Sequence, residues 1–242
     1  MVLKMIDIIV PVYNEAGNIK KLFDEIEAEV HSPKRISIVY DFDEDDTLPV
    51  VERLKESYTF EIRTIKNTVG RGVVNAIKVG MAAAEYDAIL VMMADLSDKL
   101  DVVDTMLEKL QSGYDLVCGS RYMKGGKQNG GPVLKGLLSR TAGVSLHFLT
   151  GIPTHDVTNS FKMYSKRLIN NIKIESNGGF EIGLEIAVKA YVSGYAITEI
   201  PSEWFDRTEG ESNFHMWKWM PKYLKWYLYA IIHTWFGKRD KN

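Results

Sequence analysis

Cysteine is nearly absent from this sequence, and its scarcity excludes several classes of protein. Cys118 is the single cysteine among 242 residues, so the chain has no intrachain disulfide and no cysteine-ligated metal cluster. A reducing cytoplasm is the compartment that we expect for such a chain. The formal net charge is only −2, so we expect no affinity of the whole protein for nucleic acid.

Targeting signals and hydrolytic motifs are also missing. Residues 1–10 lack the apolar core and the small-residue cleavage site of a signal peptide, and we expect a first β-strand there. The five histidines are scattered without a His-Glu-x-x-His arrangement, and no serine stands in a Gly-x-Ser-x-Gly turn. Zinc hydrolase and serine hydrolase chemistry are therefore both disfavoured.

The first 120 residues alternate short apolar runs with stretches of helical periodicity. An alternation of this kind predicts an α/β fold whose mainly parallel sheet carries helices on both faces. The predicted strands are 6–10, 36–40, 60–65, 88–92 and 116–118, with a later strand at 197–200. The predicted helices are 19–30, 47–57, 71–84, 102–110 and 134–149.

Asp95 follows the apolar run 88–92 and precedes polar, turn-forming residues. Open α/β sheets bind ligands just outside the carboxyl ends of their strands, so this carboxylate is a candidate partner for a nucleotide phosphate or a metal. The alternative is a structural role beside a helix N-terminus, with Asp98 or Asp101 starting the next helix.

Five acids in residues 41–46 follow the second predicted strand and nearly match the spacing of a calcium-binding loop. Asp46 stands where that loop requires glycine, and Pro49 interrupts it, so calcium binding is disfavoured. A turn with this many carboxylates repels phosphates. We therefore expect its partner to be a base, a ribose hydroxyl or the N-terminus of the next helix. A solvated acidic turn is the alternative.

Basic residues at later turns suit the binding of anions. The segment 67–72 contains Gly-Arg-Gly between a strand and a helix, where backbone N–H groups favour an anion, although a structural cap explains it equally well. Arg121 follows the fifth strand, and Arg140 lies in the next helix. Two guanidinium groups that converge on one pocket suit a phosphate, whereas either one alone is more often part of a surface ion pair.

The second half has a different composition. Residues 125–131 are rich in glycine and predict a mobile loop, and all five tryptophans lie after residue 203. Apolar residues recur at helical spacing near the C-terminus, and the uncharged run 226–237 is too short for a membrane span of about 20 residues. Tryptophan, tyrosine and lysine together predict an amphipathic helix in the lipid headgroup region, with packing on the core or a dimer contact as alternatives. The stripe comprises Trp217, Met220, Leu224, Tyr227, Leu228, Ile231 and Trp235.

An ordered set of segments resembles the family 2 glycosyltransferases, and within them the polyprenyl-phosphate sugar transferases. The set runs from residue 5 to 215 and comprises Ile8-Ile9-Val10-Pro11-Val12-Tyr13-Asn14-Glu15, Asp41, Gly70-Arg71-Gly72, Ala94-Asp95-Leu96, Gly119-Ser120-Arg121-Tyr122, Asp156-Val157-Thr158-Asn159-Ser160-Phe161, and Asp206-Arg207 with Ser212. The resemblance implies a GT-A fold (Rossmann-like) in residues 1–212, with residues 213–242 as the C-terminal helical segment.

The resemblance also implies substrates and roles. The donor is a GDP- or UDP-linked sugar with Mg²⁺ or Mn²⁺, the acceptor is a polyprenyl phosphate, and the enzyme is peripheral on the cytoplasmic face of a membrane, as a possible homo-oligomer. Asp95 is the implied metal ligand, Arg121 and Arg140 grip the acceptor phosphate, and Arg207 grips the donor diphosphate. The residues predicted to bind the nucleotide are Pro11, Tyr13, Asn14, Glu15, Asp41, Asn67, Gly70, Arg71, Ala94 and Asp95.

Several positions depart from the family pattern. Met93 stands where the metal-binding motif usually has a second aspartate, and Ser97 where glutamine is common; Tyr40 and Asn159-Ser160 also differ. These departures keep two alternatives open. One is a transferase that acts on a saccharide or protein hydroxyl, with Asp98, Asp156 or Glu181 as the base, and the other is a non-catalytic nucleotide-sugar-binding protein.

Overall fold

The structure is a computed structural model that describes residues 5–206 and 216–237, with side chains from residue 219 in the second range. Seven strands form one sheet in the order β3-β2-β1-β4-β7-β5-β8. All are parallel except β7, which runs antiparallel between β4 and β5. The strands are β1 (Ile6–Pro11), β2 (Lys34–Tyr40), β3 (Glu61–Lys66), β4 (Ala88–Val91), β5 (Leu116–Ser120), β6 (Lys127–Asn129), β7 (Lys162–Ser165), β8 (Ile197–Pro201) and β9 (Glu203–Phe205).

The helices cover both faces of this sheet, as the alternation of apolar runs predicts. Ile8 of β1 faces one core with α1, α2 and α4, whereas Ile9 faces the other with α3, α5, α6, α7 and α8. The helices are α1 (Ala16–Glu29), α2 (Thr47–Leu54), α3 (Val73–Ala83), α4 (Val103–Gln111), α5 (Val133–Thr150), α6 (Lys166–Asn171), α7 (Ile182–Val192) and α8 (Met216–Trp235), with 3₁₀ turns at Lys55–Ser57 and Leu100–Val102. The predicted α/β class with a GT-A-like sheet is therefore confirmed.

Residues 125–131 depart from the predicted mobile loop. Three of them form β6, which pairs with β9 in a small second sheet, and Lys127 N donates to Ser202 O at 3.0 Å. Glycine composition alone does not reveal this pairing, because the partner strand lies about 75 residues further along the chain. The prediction of a mobile loop was wrong for residues 127–129.

The C-terminal helix α8 packs on α5 and α7 through one face and exposes apolar side chains on another. Trp226 and Ala230 are buried in the core, whereas Leu224, Leu228 and Trp235 are about half exposed. Of the predicted stripe, Tyr227 and Ile231 are partly buried, and the side chain of Trp217 lies outside the described residues. No helix in the ranges described is long and apolar enough to cross a bilayer.

Candidate active site

The carboxyl ends of five parallel strands lie at one edge of the sheet, and most predicted site residues follow them. In the order of the strands, Asn67 follows β3, Asp41 follows β2, Tyr13 follows β1, Asp95 follows β4 and Arg121 follows β5. Neighbouring strands lie about 4.8 Å apart, so four steps from β2 to β5 extend about 19 Å. The sequence therefore delivers its predicted nucleotide and phosphate residues to a single edge.

A hydrogen-bond network around Asp41 fixes the turn after β3. The Asp41 carboxylate accepts hydrogen bonds from Asn67 Nδ2 and from Gly72 N, both at 2.7 Å. Asn67 is buried and also donates to Gly70 O at 2.7 Å. Gly70 and Gly72 have φ values of 144° and 120°, which a side chain rarely tolerates, so the glycines beside Arg71 are needed for this backbone.

The remaining acids of residues 41–46 have separate partners in the fold. The Asp45 carboxylate accepts from Asn14 N at 3.2 Å and from Thr47 N at 2.9 Å, which fixes the turn after β1. Asp43 pairs with Lys66, and Asp46 accepts from Ala16 N. These carboxylates point to different groups and do not converge on a calcium ion, so the structure supports their interpretation as turn-stabilising residues.

An aromatic and cationic surface lies over the ends of β1 and β2. Tyr13 is 58% exposed, and its ring meets that of Phe42 edge-on, with centroids 5.5 Å apart. The guanidinium of Arg71 lies 5.3 Å from the Phe42 centroid. Pro11 is buried beneath this surface, and Glu15 accepts from Asn18 Nδ2 at 2.7 Å. The arrangement offers π-faces and polar groups of the kind that a nucleoside contacts.

A cleft of about 820 Å³ opens next to this surface, beyond β4. Asp95 and Arg121 both line it, as the sequence predicts. Its lining combines polar side chains with apolar ones from α5, α7 and α8. The apolar lining includes Leu138, Ala142, Leu184, Met220 and Leu224.

The turn that carries Asp95 is conformationally unusual. Leu96 has a φ of 58°, which is uncommon for a bulky residue and must be held by its surroundings. Ser97 N donates to Asp95 Oδ1 at 3.2 Å, and Ser97 O accepts from Phe205 N at 2.8 Å. This pairing with β9 fixes the turn at the mouth of the cleft, behind the buried Ala94.

Asp98 lies in the wall of the cleft and is only 7% exposed. Burial raises the pKa of its carboxyl to about 7, and the negative charge of Asp95 acts in the same direction. Arg121 and the amide of Asn159, at 3.5 Å, oppose this shift without cancelling it. Burial and the neighbouring like charge therefore both favour the protonated form of Asp98.

Arg121 forms a buried ion pair in the wall of the cleft. Its Nε and Nη2 donate to the two carboxylate oxygens of Asp156 at 2.6 and 2.9 Å, and Nη2 also reaches Ser139 Oγ at 3.2 Å. Burial alone would raise the pKa of Asp156, but Arg121 more than offsets this, and the pKa lies below its usual range. The guanidinium is thus held rigidly at the cleft wall.

Arg140 is exposed and does not line the cleft, whereas Lys135 does. Residues three, four or seven positions apart share one face of a helix, and Lys135, Ser139 and Ala142 of α5 follow that spacing. Arg140 is five positions from Lys135 and points elsewhere. The predicted contact of Arg140 with the acceptor phosphate therefore stays a prediction.

Trp204 and Tyr223 line the cleft although the sequence analysis did not single them out, and Asp206 of the family-like segments lines it too. The two-residue step from Pro201 of β8 into β9 brings Trp204 back against Asp98. Arg207 and Ser212 lie outside the described residues, so the predicted contact of Arg207 with the donor diphosphate stays a prediction.

Acidic and basic side chains both line the cleft. Asp95, Asp98 and Asp206 are the acids among the described lining residues, and Arg121 and Lys135 are the basic ones. No group of three or more histidine, cysteine or carboxylate side chains suited to a metal occurs within residues 5–206 or 219–237. Magnesium commonly binds through one or two carboxylates and completes its shell with phosphate oxygens and water, so this donor set fits such an ion.

Comparison with known proteins assigns the family. The model of glycosyl transferase family 2 matches residues 7–173. The chain belongs to that family. Among family relatives, the dolichol-phosphate mannosyltransferase of Pyrococcus furiosus is 29% identical over 241 residues, which cover 98% of this chain and 66% of that protein. The polyprenol monophosphomannose synthase of Mycolicibacterium smegmatis is 25% identical over 85% of this chain and 79% of that protein.

Solved structures of similar fold support the architecture described above. Glucosyl-3-phosphoglycerate synthase from Mycobacterium tuberculosis, in complex with Mn²⁺, UDP-glucose and phosphoglyceric acid, superposes with a TM-score of 0.70 over 94% of this chain and 80% of that chain. The same enzyme with Mg²⁺ and UDP gives a TM-score of 0.65. Sequence identity is 15% and 14%, so these matches establish the fold alone.

Proposed function

We propose that this protein transfers a sugar from a nucleoside-diphosphate sugar to a polyprenyl phosphate, with inversion at the anomeric carbon. The observation that carries the proposal is the composition of the cleft, in which Asp95, Arg121 and Lys135 share one cavity with an apolar wall from α5, α7 and α8. Such a cavity suits an acceptor with a phosphate at one end and a hydrocarbon chain at the other. The names of the two curated relatives point to the same class of acceptor.

The acceptor chemistry explains how the reaction proceeds without a dedicated base. A phosphate monoester has a second pKa of about 6, so it is largely a dianion at neutral pH and a sufficient nucleophile. Its oxygen bonds to the anomeric carbon while the bond from that carbon to the donor phosphate breaks, and the electron pair leaves with the nucleoside diphosphate. No proton has to move, and a single in-line displacement inverts the anomeric centre.

The residues of the cleft then have separate tasks. Arg121, held by Asp156, and Lys135 are placed to bind the acceptor phosphate, whereas the ends of β1 to β3 are placed to bind the nucleoside. A divalent cation bound at Asp95 would neutralise the departing diphosphate. Two anionic substrates need this neutralisation, which supports Mg²⁺ or Mn²⁺ as a cofactor despite Met93.

The apolar surface beside the cleft supports attachment to a membrane. On α5, Val133 is 86% exposed and Leu137 is 60% exposed, and on α8 Leu228 is 46% and Ile232 is 53% exposed. Phe148 of α5 and Phe236 just after α8 are exposed apolar side chains as well. Contact with the lipid headgroup region would present a polyprenyl phosphate to the cleft without removing its chain from the bilayer. The cytoplasmic face stays our predicted location.

A second candidate function is transfer to a hydroxyl group of a saccharide or protein. Asp98 favours it, because a carboxyl whose pKa is about 7 is suited to accept a proton near neutral pH. Of the other two predicted bases, Asp156 is occupied by Arg121, and Glu181 is buried and accepts from Gly179 N at 2.8 Å.

A donor screen tests the proposal. Purified protein is incubated with GDP- or UDP-linked sugars, a short-chain polyprenyl phosphate and Mn²⁺, and the release of nucleoside diphosphate is followed together with the lipid product. We expect turnover with one donor class and a product of inverted anomeric configuration. Nucleotide binding by calorimetry without turnover on any lipid phosphate or hydroxyl acceptor would instead indicate a non-catalytic binding protein.

A further inference from the structure

Met93 leaves the predicted cation site with one acid fewer than the family pattern, yet three nearby residues face the same cleft. Asp95, Ser97 and Asp98 all line the cavity. In an extended segment, neighbours such as Ser97 and Asp98 would point to opposite sides. The backbone at Leu96 is left-handed, so the chain changes direction between Asp95 and Ser97. Asp95, Ser97 and Asp98 all line the same cleft.

The hydroxyl of Ser97 is the second observation. Ser97 is 3% exposed, and within the part of the chain that the structure describes its Oγ has no hydrogen-bond partner. A buried polar atom without a partner is destabilising, so such an atom in a cleft wall indicates a ligand that supplies the missing interaction. Serine hydroxyls are established ligands of Mg²⁺ in phosphate-binding loops.

Asp98 is positioned firmly enough to act as a ligand. Its backbone forms an antiparallel bridge with Trp204, and the N–H of the following residue, Lys99, donates to Glu203 O at 3.1 Å. Asn159 Nδ2 lies 3.5 Å from Asp98 Oδ1. Arg121, the cation in this part of the cleft, is occupied by Asp156, so Asp98 has no ion pair of its own among the described residues. A divalent cation would supply the charge that Asp98 lacks.

We infer that Asp98 and Ser97 complete, together with Asp95, the protein ligands of the divalent cation, in place of the acid that is missing at position 93. The inference rests on the proposed use of a nucleoside-diphosphate donor. Two carboxylates and a hydroxyl leave three positions of an octahedron for diphosphate oxygens and water, which is the usual composition of a magnesium or manganese site.

Mn²⁺ affinity, measured by electron paramagnetic resonance of the free ion, tests this inference without any transfer assay. Titrations are run on the full chain with Mn²⁺ alone and with saturating UDP or GDP. We expect Asp98→Asn to weaken Mn²⁺ binding about tenfold or more, as Asp95→Asn does, and Ser97→Ala about threefold. Asp206→Asn is a matched change of another acid in the cleft. Its Mn²⁺ affinity should stay within about twofold of the parent, because the change alters only the electrostatic potential at the ion.

Restoring the missing acid provides a second test that does not depend on the stability of one variant. If Asp98 replaces the acid at position 93, Met93→Asp in the Asp98→Asn background should return the Mn²⁺ affinity to within about threefold of the parent. Unchanged Mn²⁺ binding in Asp98→Asn, or an equal loss in Asp206→Asn, would overturn the inference. Loss of transfer with intact Mn²⁺ binding would also overturn it and would identify Asp98 as a base.

The inference and the proposed function fail in different ways. Tight Mn²⁺ binding that depends on Asp98, together with no transfer to polyprenyl phosphate, would support the ligand set and refute the acceptor. Transfer to polyprenyl phosphate with Mn²⁺ binding that is independent of Asp98 would support the acceptor and refute the ligand set.

Discussion

The turns after β1, β2 and β3 are held by polar side chains, whereas the wall of the cleft beyond β4 is held by apolar packing. Asp41 and Asp45 use their carboxylates to fix backbone N–H groups of Gly72 and Asn14. On the other side, α8 buries Trp226 against α5 and α7. Polar turns fix the position of a rigid ligand such as a nucleoside, while packed helices with an exposed apolar face suit a hydrocarbon chain. The two regions meet at Asp95.

The largest effect is expected where the two regions meet. Asp95→Asn should lower transfer about a thousandfold, because it removes several kcal/mol of charge stabilisation at the leaving diphosphate. Nucleotide release and the thermal unfolding midpoint are measured together, and the midpoint should stay unchanged. Asp101→Asn, which alters an exposed acid paired with Lys99, is the control and should keep full activity. Full activity in Asp95→Asn would remove the central assignment.

The ion pair between Arg121 and Asp156 should give the next largest effect, on stability as well as activity. Asp156→Asn leaves a buried guanidinium without its counter-charge and should lower the free energy of unfolding by about 3 kcal/mol, measured in urea. Glu52→Gln breaks an exposed pair with Lys55 and should cost less than about 1 kcal/mol.

The same pair predicts the pH dependence of stability. The folded pKa of Asp156 lies below its ordinary value of 3.8, so the stabilisation is present above that pH and is lost as the pH falls further. Unfolding curves at decreasing pH should show a steeper loss for the parent protein than for Asp156→Asn. Parallel curves for the two proteins would show that the carboxylate does not carry this stabilisation.

The apolar side of the comparison predicts a membrane contact. Leu137→Ser and Leu228→Ser should each lower partition into anionic vesicles about tenfold, because each removes the burial of one leucine in the headgroup region. Val69→Ser, a change at a 70% exposed position on the donor side, should leave partition unchanged. Equal partition of all variants in co-sedimentation assays would refute the membrane contact. Leu137→Ser and Leu228→Ser should both retain turnover on a water-soluble, short-chain acceptor.

The polar side predicts the smallest effect. Asp41→Asn replaces a charged acceptor with a neutral one in the hydrogen bonds from Asn67 and Gly72, and we expect the donor KM to rise about fivefold with kcat nearly constant. An equivalent change in kcat, with an unaltered KM, would place Asp41 in the chemistry and not in nucleoside binding.

The two regions also differ in how far the sequence predicts them. Asp41 and Asp95 could be found because a strand places its following residues at a known edge of the sheet. The place of Lys135 in the cleft lining depends on the phase of α5 against the cleft, which no local pattern contains. α7 is buried on nearly all sides, so it lacks the amphipathic period that predicts a helix. β7 is a four-residue strand with Lys162 buried in it, and its insertion between β4 and β5 is a purely tertiary event.

The choice of acceptor tests the account most directly. A short-chain polyprenyl phosphate and the corresponding free polyprenol are offered in parallel, with the same donor and Mn²⁺, and a saccharide acceptor serves as the third arm. The account predicts lipid-linked sugar from the phosphate and no product from the alcohol, since Arg121 and Lys135 would have no anion to bind. Product formed from the alcohol or the saccharide, with the phosphate inert, would contradict it.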